Sequence, residues 1–320
     1  MLIIVQGPFI KNTKNLVKTL SNLFPKNKII VSCYQEIIDD YLIKTLKNVE
    51  FIHNSDPGSI FVPPRGKPLN LKRQAKTIHS ACIRSNEEWV MKIRSDLSIV
   101  DKKKFIKSFK KIESCFFQNP QPKLITLNNG SLDIFSYYDM IFHFNDWFFV
   151  CKRRILLENC SEISKINEQS LIDPFKIKFP KNYYHNKKYR LLFHNEQMIH
   201  FAKFLLSSNS IRHCCDNRKI TKFRHLIWVA KYLEIYTLRD LGMKSSKSGY
   251  TSLRTQLVAI SFQSLALHKI LIRSRGTIRV TIFSILQIYG FLRKVLFLIL
   301  RFFSKIKIEF INKVKLLILN

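Results

Sequence analysis

Leu2-Ile3-Ile4-Val5-Gln6-Gly7-Pro8 is the stretch from which the fold is read. A short, unbroken apolar run closed by Gly-Pro suits a strand buried on both faces, as in a parallel sheet. Thr13 to Leu23 follows with Leu16, Leu20 and Leu23 at helical spacing, and Pro25 marks its end. Lys28 to Ser32 is expected as the second strand, Glu36 to Leu46 as a helix and Val49 to His53 as the third strand. Together they make a β-α-β-α-β succession joined by right-handed crossovers and closed by the turn Asn54-Ser55-Asp56-Pro57-Gly58.

Beyond that frame, Gly58 to Pro68 reads as loop. Asn70 to Arg84 then sets Leu71, Ala75, Ile78 and Cys82 on one helical face and Arg73, Lys76 and Arg84 on another. Trp89 to Ile93 is expected as a fourth strand running directly into Arg94-Ser95-Asp96. Charged residues there stand at the carboxyl end of a strand, where an open α/β sheet places its ligand crevice. Asp101 to Lys111 is expected to be helical and Lys123 to Leu127 a strand. Met140 to Val150 reads as an aromatic strand interrupted at Asn145-Asp146, before a helix from Arg153 to Glu158. Asp173 to Lys188 reads as loop, and Asn195 as the N-cap of a helix through Leu206. The fold class is α/β, a Rossmann-type, mostly parallel sheet with flanking helices, followed by an α-helical basic C-terminal region. Three regions are expected: a body over 1–210, a helical extension over 211–250 and a basic amphipathic segment over 251–320.

The 320 residues carry 54 Lys and Arg against 22 Asp and Glu, a formal charge of +32. Yet 46% are hydrophobic, which excludes a solvated polycation and requires a core. Seven cysteines include no C-x-x-C pair, so neither a disulfide framework nor a zinc ribbon is suggested, and a cytosolic chain is expected. Adjacent Cys214 and Cys215 beside His213 lack metal-ligand spacing. The apolar opening runs at once into Gln6-Gly7-Pro8, so no signal peptide is expected.

Twelve of the cations lie between Thr251 and Asn320, with Glu309 the only acid there. Uncharged Val280 to Leu292 falls short of the roughly 20 residues that span a bilayer. On a helical wheel Gly290, Arg293, Lys294, Arg301, Ser304 and Lys305 share a sector of about 120°, with Phe291, Leu292, Val295, Leu296 and Phe302 elsewhere. That pattern suits an interfacial helix on an anionic membrane, where each basic residue near the surface is worth about 1 kcal/mol. It equally suits helices packed on the body with their charge solvated, and Lys, Asn and Ile usage throughout reads as a compositional bias that inflates the charge.

Ile4-Val5-Gln6-Gly7-Pro8, Ser55-Asp56-Pro57-Gly58, Asn70 with Arg73-Gln74, and Met91-Lys92-Ile93-Arg94-Ser95-Asp96 occur in an order and spacing that resembles the WavE-type lipopolysaccharide-synthesis family. Phe144-Asn145-Asp146-Trp147-Phe148 is similar to that family's Asp-plus-aromatic segment, and the match runs from about Met1 to Leu206. The resemblance implies a GT-A-like fold and transfer of a sugar from a nucleotide-sugar donor onto a lipid-linked glycan acceptor. It would operate in lipopolysaccharide or capsule assembly at the inner face of the cell membrane.

Departure of a nucleoside diphosphate builds negative charge that a divalent cation or basic side chains must stabilise. Asp96 fits the last carboxylate of a GT-A Asp-x-Asp motif, a ligand for Mg²⁺ or Mn²⁺. Arg94 stands where the first Asp belongs, and Arg94 and Arg73 suit phosphate directly. The alternative for Asp96 is a strand-end turn or helix cap. Gln6, Gly7 and Asp56 follow strands one and three, where this architecture holds its nucleotide, and Asp56 reads equally as a turn former. Candidates for the general base are Asp146, in an apolar aromatic setting, and Glu196, which also reads as a favourable first-turn charge. Two other functional classes remain: a nucleic-acid-binding protein, resting on net charge without any recognition motif, and a non-catalytic membrane scaffold.

Overall fold

A computed structural model of the chain describes residues 1–34, 45–58, 60–62, 67–118, 124–128, 131, 142–167, 172–173, 190–191, 195–207, 218–245, 262–274, 281–296 and 298–299. Its frame is a seven-stranded sheet. The strands are β1 (Leu2–Gln6), β2 (Ile29–Cys33), β3 (Val49–His53), β6 (Trp89–Arg94), β8 (Leu124–Leu127), β9 (Phe148–Lys152) and β12 (Leu233–Tyr236), in the order β12-β8-β9-β6-β1-β2-β3. β6, β1, β2 and β3 pair in parallel, as do β12 and β8, while β9 runs antiparallel to both its neighbours. The carboxyl ends of six strands therefore share one edge with the start of β9.

The reason for this sheet lies in its apolar strands. All five residues of β1 are buried, because alternate side chains enter two cores. Leu2 and Ile4 join a core with Ile30, Val90 and Phe149. It lies beneath helices α2 (Leu71–Cys82), α4 (Arg153–Lys165), α5 (Asn195–Ser207), α6 (Lys219–Tyr232) and α7 (Phe262–Arg273). Ile3 and Val5 join Val31, Met91, Ile93 and Val150 beneath α1 (Lys11–Leu23) and α3 (Lys102–Gln118). Each such side chain contributes about 1.5–3 kcal/mol on burial. In α2 the expected apolar face of Leu71, Ala75, Ile78 and Cys82 is the buried one, leaving Arg73 and Lys76 at the sheet's carboxyl edge.

Several elements differ from the sequence reading. The segment 58–68 contains β4 (Ile60–Val62) and β5 (Lys67–Leu69), an antiparallel pair where only loop was expected. Of the expected strand over 140–150, the described residues 142–147 are not strand, and β9 begins at Phe148. Asn145 Oδ1 accepts from the Trp147 amide at 2.7 Å and turns the chain just before it. Helices α3 and α4 run several residues beyond their expected ends, and Asn195, expected as a cap, is the first residue of α5.

In the extension over 211–250, whose described residues are 218–245, the helix among them is α6. Its strand β12 forms an edge of the main sheet, and β13 (Met243–Ser245) pairs with β7 (Leu97–Ile99). β10 (Ile172–Asp173) and β11 (Arg190–Leu191) form a separate antiparallel pair. The last helix among the described residues, α8 (281–296), packs Ile282 and Leu286 into the first core. Most of the expected helix over 36–46, the residues His213, Cys214 and Cys215, and the tail beyond 299 lie outside the described residues.

Candidate active site

The carboxyl edge gathers the chemistry-bearing side chains. At the end of β1, Gly7 has φ +131°, and a Cβ there would collide with Ser95 Oγ. This is a position that requires glycine. The Ser95 amide donates to the Gln6 carbonyl at 2.9 Å, so the loops after β1 and β6 are in contact. The Gln6 side chain is buried and turns toward α2, its Nε2 donating to Thr77 Oγ1 at 3.1 Å.

α2 is tied over the edge by buried polar bonds. Ser32 Oγ donates to the Thr77 carbonyl at 2.9 Å, and the Asn54 side-chain amide donates to Ser32 Oγ at 2.9 Å. Tyr34 donates its hydroxyl to the Arg73 carbonyl, and burial raises the Tyr34 pKa above its usual value. Arg73 in turn reaches the loop after β3. Its Nε donates to Asp56 Oδ1 at 2.7 Å, its Nη2 pairs with Asp56 Oδ2, and its Nη1 donates to Asn70 Oδ1 at 3.1 Å. The hydrogen bond from Arg73 holds the exposed Asp56 carboxyl below the usual range.

After β6, Arg94 Nε and Nη2 donate to Asp96 Oδ1 and Oδ2, each at 2.6 Å. The guanidinium lies over the Trp147 ring, 4.1 Å from its centroid, and the Arg94 amide donates to the Trp147 carbonyl at 2.7 Å. A fork-on-carboxylate pair backed by an aromatic face is a strongly oriented arrangement for Arg.

Asp146 is buried at the entrance to β9, and its Oδ2 accepts from Gln74 Nε2 at 2.9 Å. Its backbone carbonyl accepts from Lys92 Nζ, a lysine only 1% exposed on β6. The neighbouring Asn145 carbonyl accepts from Thr126 Oγ1 at 2.8 Å and bonds His200 Nε2 at 3.2 Å. His200 stands on α5 where the helix kinks at Phe201. There Asn159 of α4 donates to the Ile199 and His200 carbonyls, replacing lost backbone bonds. Burial lowers the His200 pKa to about 4, so the ring is neutral near pH 7. Upstream, Phe142 takes φ +52° and donates its amide to His225 Nδ1 at 3.0 Å. A phenylalanine in that region carries backbone strain close to the site.

The edge thus brings together Gln6, Gly7, Asp56, Arg73, Arg94, Asp96 and Asp146. Glu196 lies in the first turn of α5, and its side chain is outside the described residues. Sequence reasoning gave no role to Lys92, Gln74, Trp147 or His200. A lone lysine inside the apolar strand Trp89–Arg94 was the available signal for the first. An apolar cavity of about 400 Å³ lies apart from these residues, between α4, α5 and α6, with Leu156, Phe204 and Trp228 in its lining and His200 at its wall.

A divalent cation at Asp96 is a poor fit to the residues present. Both Asp96 oxygens are engaged by Arg94, Asp56 is held by Arg73 and Asp146 by Gln74. Among the described residues no three His, Cys, Asp or Glu side chains are placed to share a metal ion.

Comparisons with known proteins bear on this edge. No curated protein matches the chain. Among solved structures, the bifunctional IspDF from Campylobacter jejuni aligns at 15% identity and TM-score 0.30, over 53% of this chain and 45% of its own. A glycosyltransferase involved in glycosylation of the major capsid of PBCV-1 aligns at 16% identity and TM-score 0.31, over 52% and 66%. An active-site mutant of LgtC aligns at 10% identity and TM-score 0.38, over 83% and 95%. The chain therefore spans less than half of IspDF and just under two thirds of the capsid glycosyltransferase. The profile of one family, described as WavE lipopolysaccharide synthesis, matches residues 1–251, from β1 through β13 and so across every strand of the main sheet. By that match, the chain belongs to the WavE lipopolysaccharide synthesis family.

Proposed function

We propose that the protein is a GT-A-like glycosyltransferase. It moves a sugar from a nucleotide-activated donor to a lipid-linked acceptor in lipopolysaccharide or capsular polysaccharide synthesis. The observation that carries this reading is the convergence of Arg73, Arg94 and the buried Asp146 on the sheet's carboxyl edge in a chain of the WavE family. An open α/β sheet binds its ligand at that edge.

In this reading the nucleotide lies against Gly7 and the Asp56–Arg73 pair, Gly7 allowing close backbone approach while Gln6 braces α2 from below. Asp146 serves as general base for the acceptor hydroxyl, since Gln74 and Lys92 fix both its carboxylate and its backbone. Glu196 is the second candidate for that role. Incubating the full chain with a panel of nucleotide sugars and a lipid-linked acceptor fraction tests the assignment. Transfer that disappears in Asp146→Asn supports it. Absence of donor turnover with every nucleotide sugar counts against the enzyme and for a non-catalytic scaffold.

We also place the protein peripherally on the inner face of the cell membrane. Among the described residues no helix is long and apolar enough to cross a bilayer. α8 instead turns Phe283, Ile285, Ile288, Phe291 and Leu292 to solvent, while Arg293 is buried and packs on Tyr289. Such a continuous apolar exposure on a soluble surface calls for a cover. Twelve cations in the last 70 residues supply attraction to anionic headgroups. Flotation with phosphatidylglycerol-containing vesicles is expected to be lost when the exposed Ile288, Phe291 and Leu292 are replaced by Glu, which leaves the core side chains of α8 in place, and unchanged flotation would refute this placement. A nucleic-acid role has the net charge alone behind it.

A further inference from the structure

In the nucleotide-sugar reading, something must carry positive charge at the departing diphosphate. The residue set at the end of β6 suits a fixed guanidinium better than a metal ion. Asp96 spends both oxygens on Arg94, at 2.6 Å each, in a pair whose side chains are only 14% and 18% exposed. A divalent ion there would have to displace a bidentate partner and would leave Arg94 beside it as a like charge.

The pairing also leaves Arg94 with capacity to spare. Guanidinium has five N–H donors, and Asp96 takes one from Nε and one from Nη2. Among the described residues nothing else takes the two hydrogens of Nη1 or the second of Nη2, and these face phosphate oxygens in the nucleotide-sugar reading. Trp147 backs the plane of the group at 4.1 Å, so its direction is set before any ligand arrives.

We propose that Arg94, clamped by Asp96 and backed by Trp147, takes the place of the divalent metal at the donor diphosphate, and that Asp96 is its positioning residue. This rests on the nucleotide-sugar reading. In the transfer, the acceptor oxygen forms a bond to the anomeric carbon as the bond from that carbon to the phosphate oxygen breaks. The electron pair leaves with the nucleoside diphosphate, whose oxygens Arg94 binds, and the hydroxyl proton passes to Asp146. The balance requires no further reactant.

The experiment is isothermal titration of the full-length protein with UDP, GDP, CDP and ADP, each in EDTA and in Mn²⁺. At least one diphosphate is expected to bind with the same affinity, within about threefold, in both conditions. Arg94→Lys keeps the charge but loses the fork, and is expected to weaken binding at least tenfold in both. Asp96→Asn is expected to weaken binding equally in EDTA and Mn²⁺, with Asp96→Glu restoring part of it. Thermal melts of each variant establish that it folds. If Arg94→Lys is unfolded, the comparison of Asp96→Asn with and without Mn²⁺ decides alone. Binding that appears or rises tenfold only with Mn²⁺, and loses that increment in Asp96→Asn, overturns the proposal while leaving the glycosyltransferase reading intact. Failure of every diphosphate to bind in either condition overturns both.

Discussion

Gln74 Nε2 donates to Asp146 Oδ2 at 2.9 Å, joining α2 to the entrance of β9 across 72 positions of sequence. This bond orients the carboxylate proposed as general base, because a buried acid held by a fixed donor has few other directions to face. Gln74→Leu is expected to lower kcat about tenfold with little change in donor KM. Asp146→Asn is expected to lower it by about 10²-fold or more, as for loss of a general base. Steady-state kinetics of sugar transfer checks both, and a Gln74→Leu effect confined to KM would contradict the orienting role.

Gly7 is held at φ +131° with Ser95 Oγ where its Cβ would go. Gly7→Ala is therefore expected to destabilise the protein by about 2 kcal/mol and to abolish transfer. Ser95→Gly in the same chain removes the collision but not the backbone strain, so it should recover only part of the loss. Urea unfolding of the single and double variants measures this, and full recovery would show that the dihedral carries no strain.

Lys92 lies inside the sheet face, 1% exposed, with its ammonium on the Asp146 carbonyl. Lys92→Met preserves length but leaves that carbonyl without its donor. A cost of about 1–3 kcal/mol is expected, together with a fall in kcat as the Asn145-Asp146 turn loosens. A variant with wild-type kcat would remove Lys92 from the site's support.

His200 and His225 are buried as neutral rings, with pKa values lowered to about 4 and about 3 by burial. The unfolded chain binds a proton at each near pH 6.5 and the folded chain does not. The stability they contribute is thus present above pH 6.5 and is lost as pH falls toward 4. Each histidine adds about 1.4 kcal/mol per pH unit to the slope in that window. His200→Gln, which keeps a donor for the Asn145 carbonyl, is expected to reduce the slope by one histidine's share. Urea unfolding between pH 7 and 4.5 reads it, and an unchanged slope would mean His200 titrates in the folded state.

Much of the architecture was legible locally. The run Leu2 to Val5 announces a two-sided strand, the spacing of Leu71, Ala75, Ile78 and Cys82 announces α2, and Trp89 to Ile93 leading into Arg94-Ser95-Asp96 announces a charged strand end. The hairpin of β4 and β5 was not legible, because three-residue strands carry too little pattern. The strand β12 was not legible either, since Leu233 to Tyr236 acquires its place only by pairing with Leu124 to Leu127 more than a hundred residues earlier.

By itself the sequence determined a parallel α/β frame, a charged carboxyl edge and a basic, apolar C-terminal segment, because hydrophobic period and charge distribution are properties of neighbouring residues. Only the tertiary structure decided that Asp96 is spent on Arg94, that Arg73 closes on Asp56, and that Lys92, Gln74 and His200 support the Asn145-Asp146 turn. A buried polar group must find its partner wherever the folded chain brings one within about 3 Å, and for most of these groups that partner lies tens of residues away.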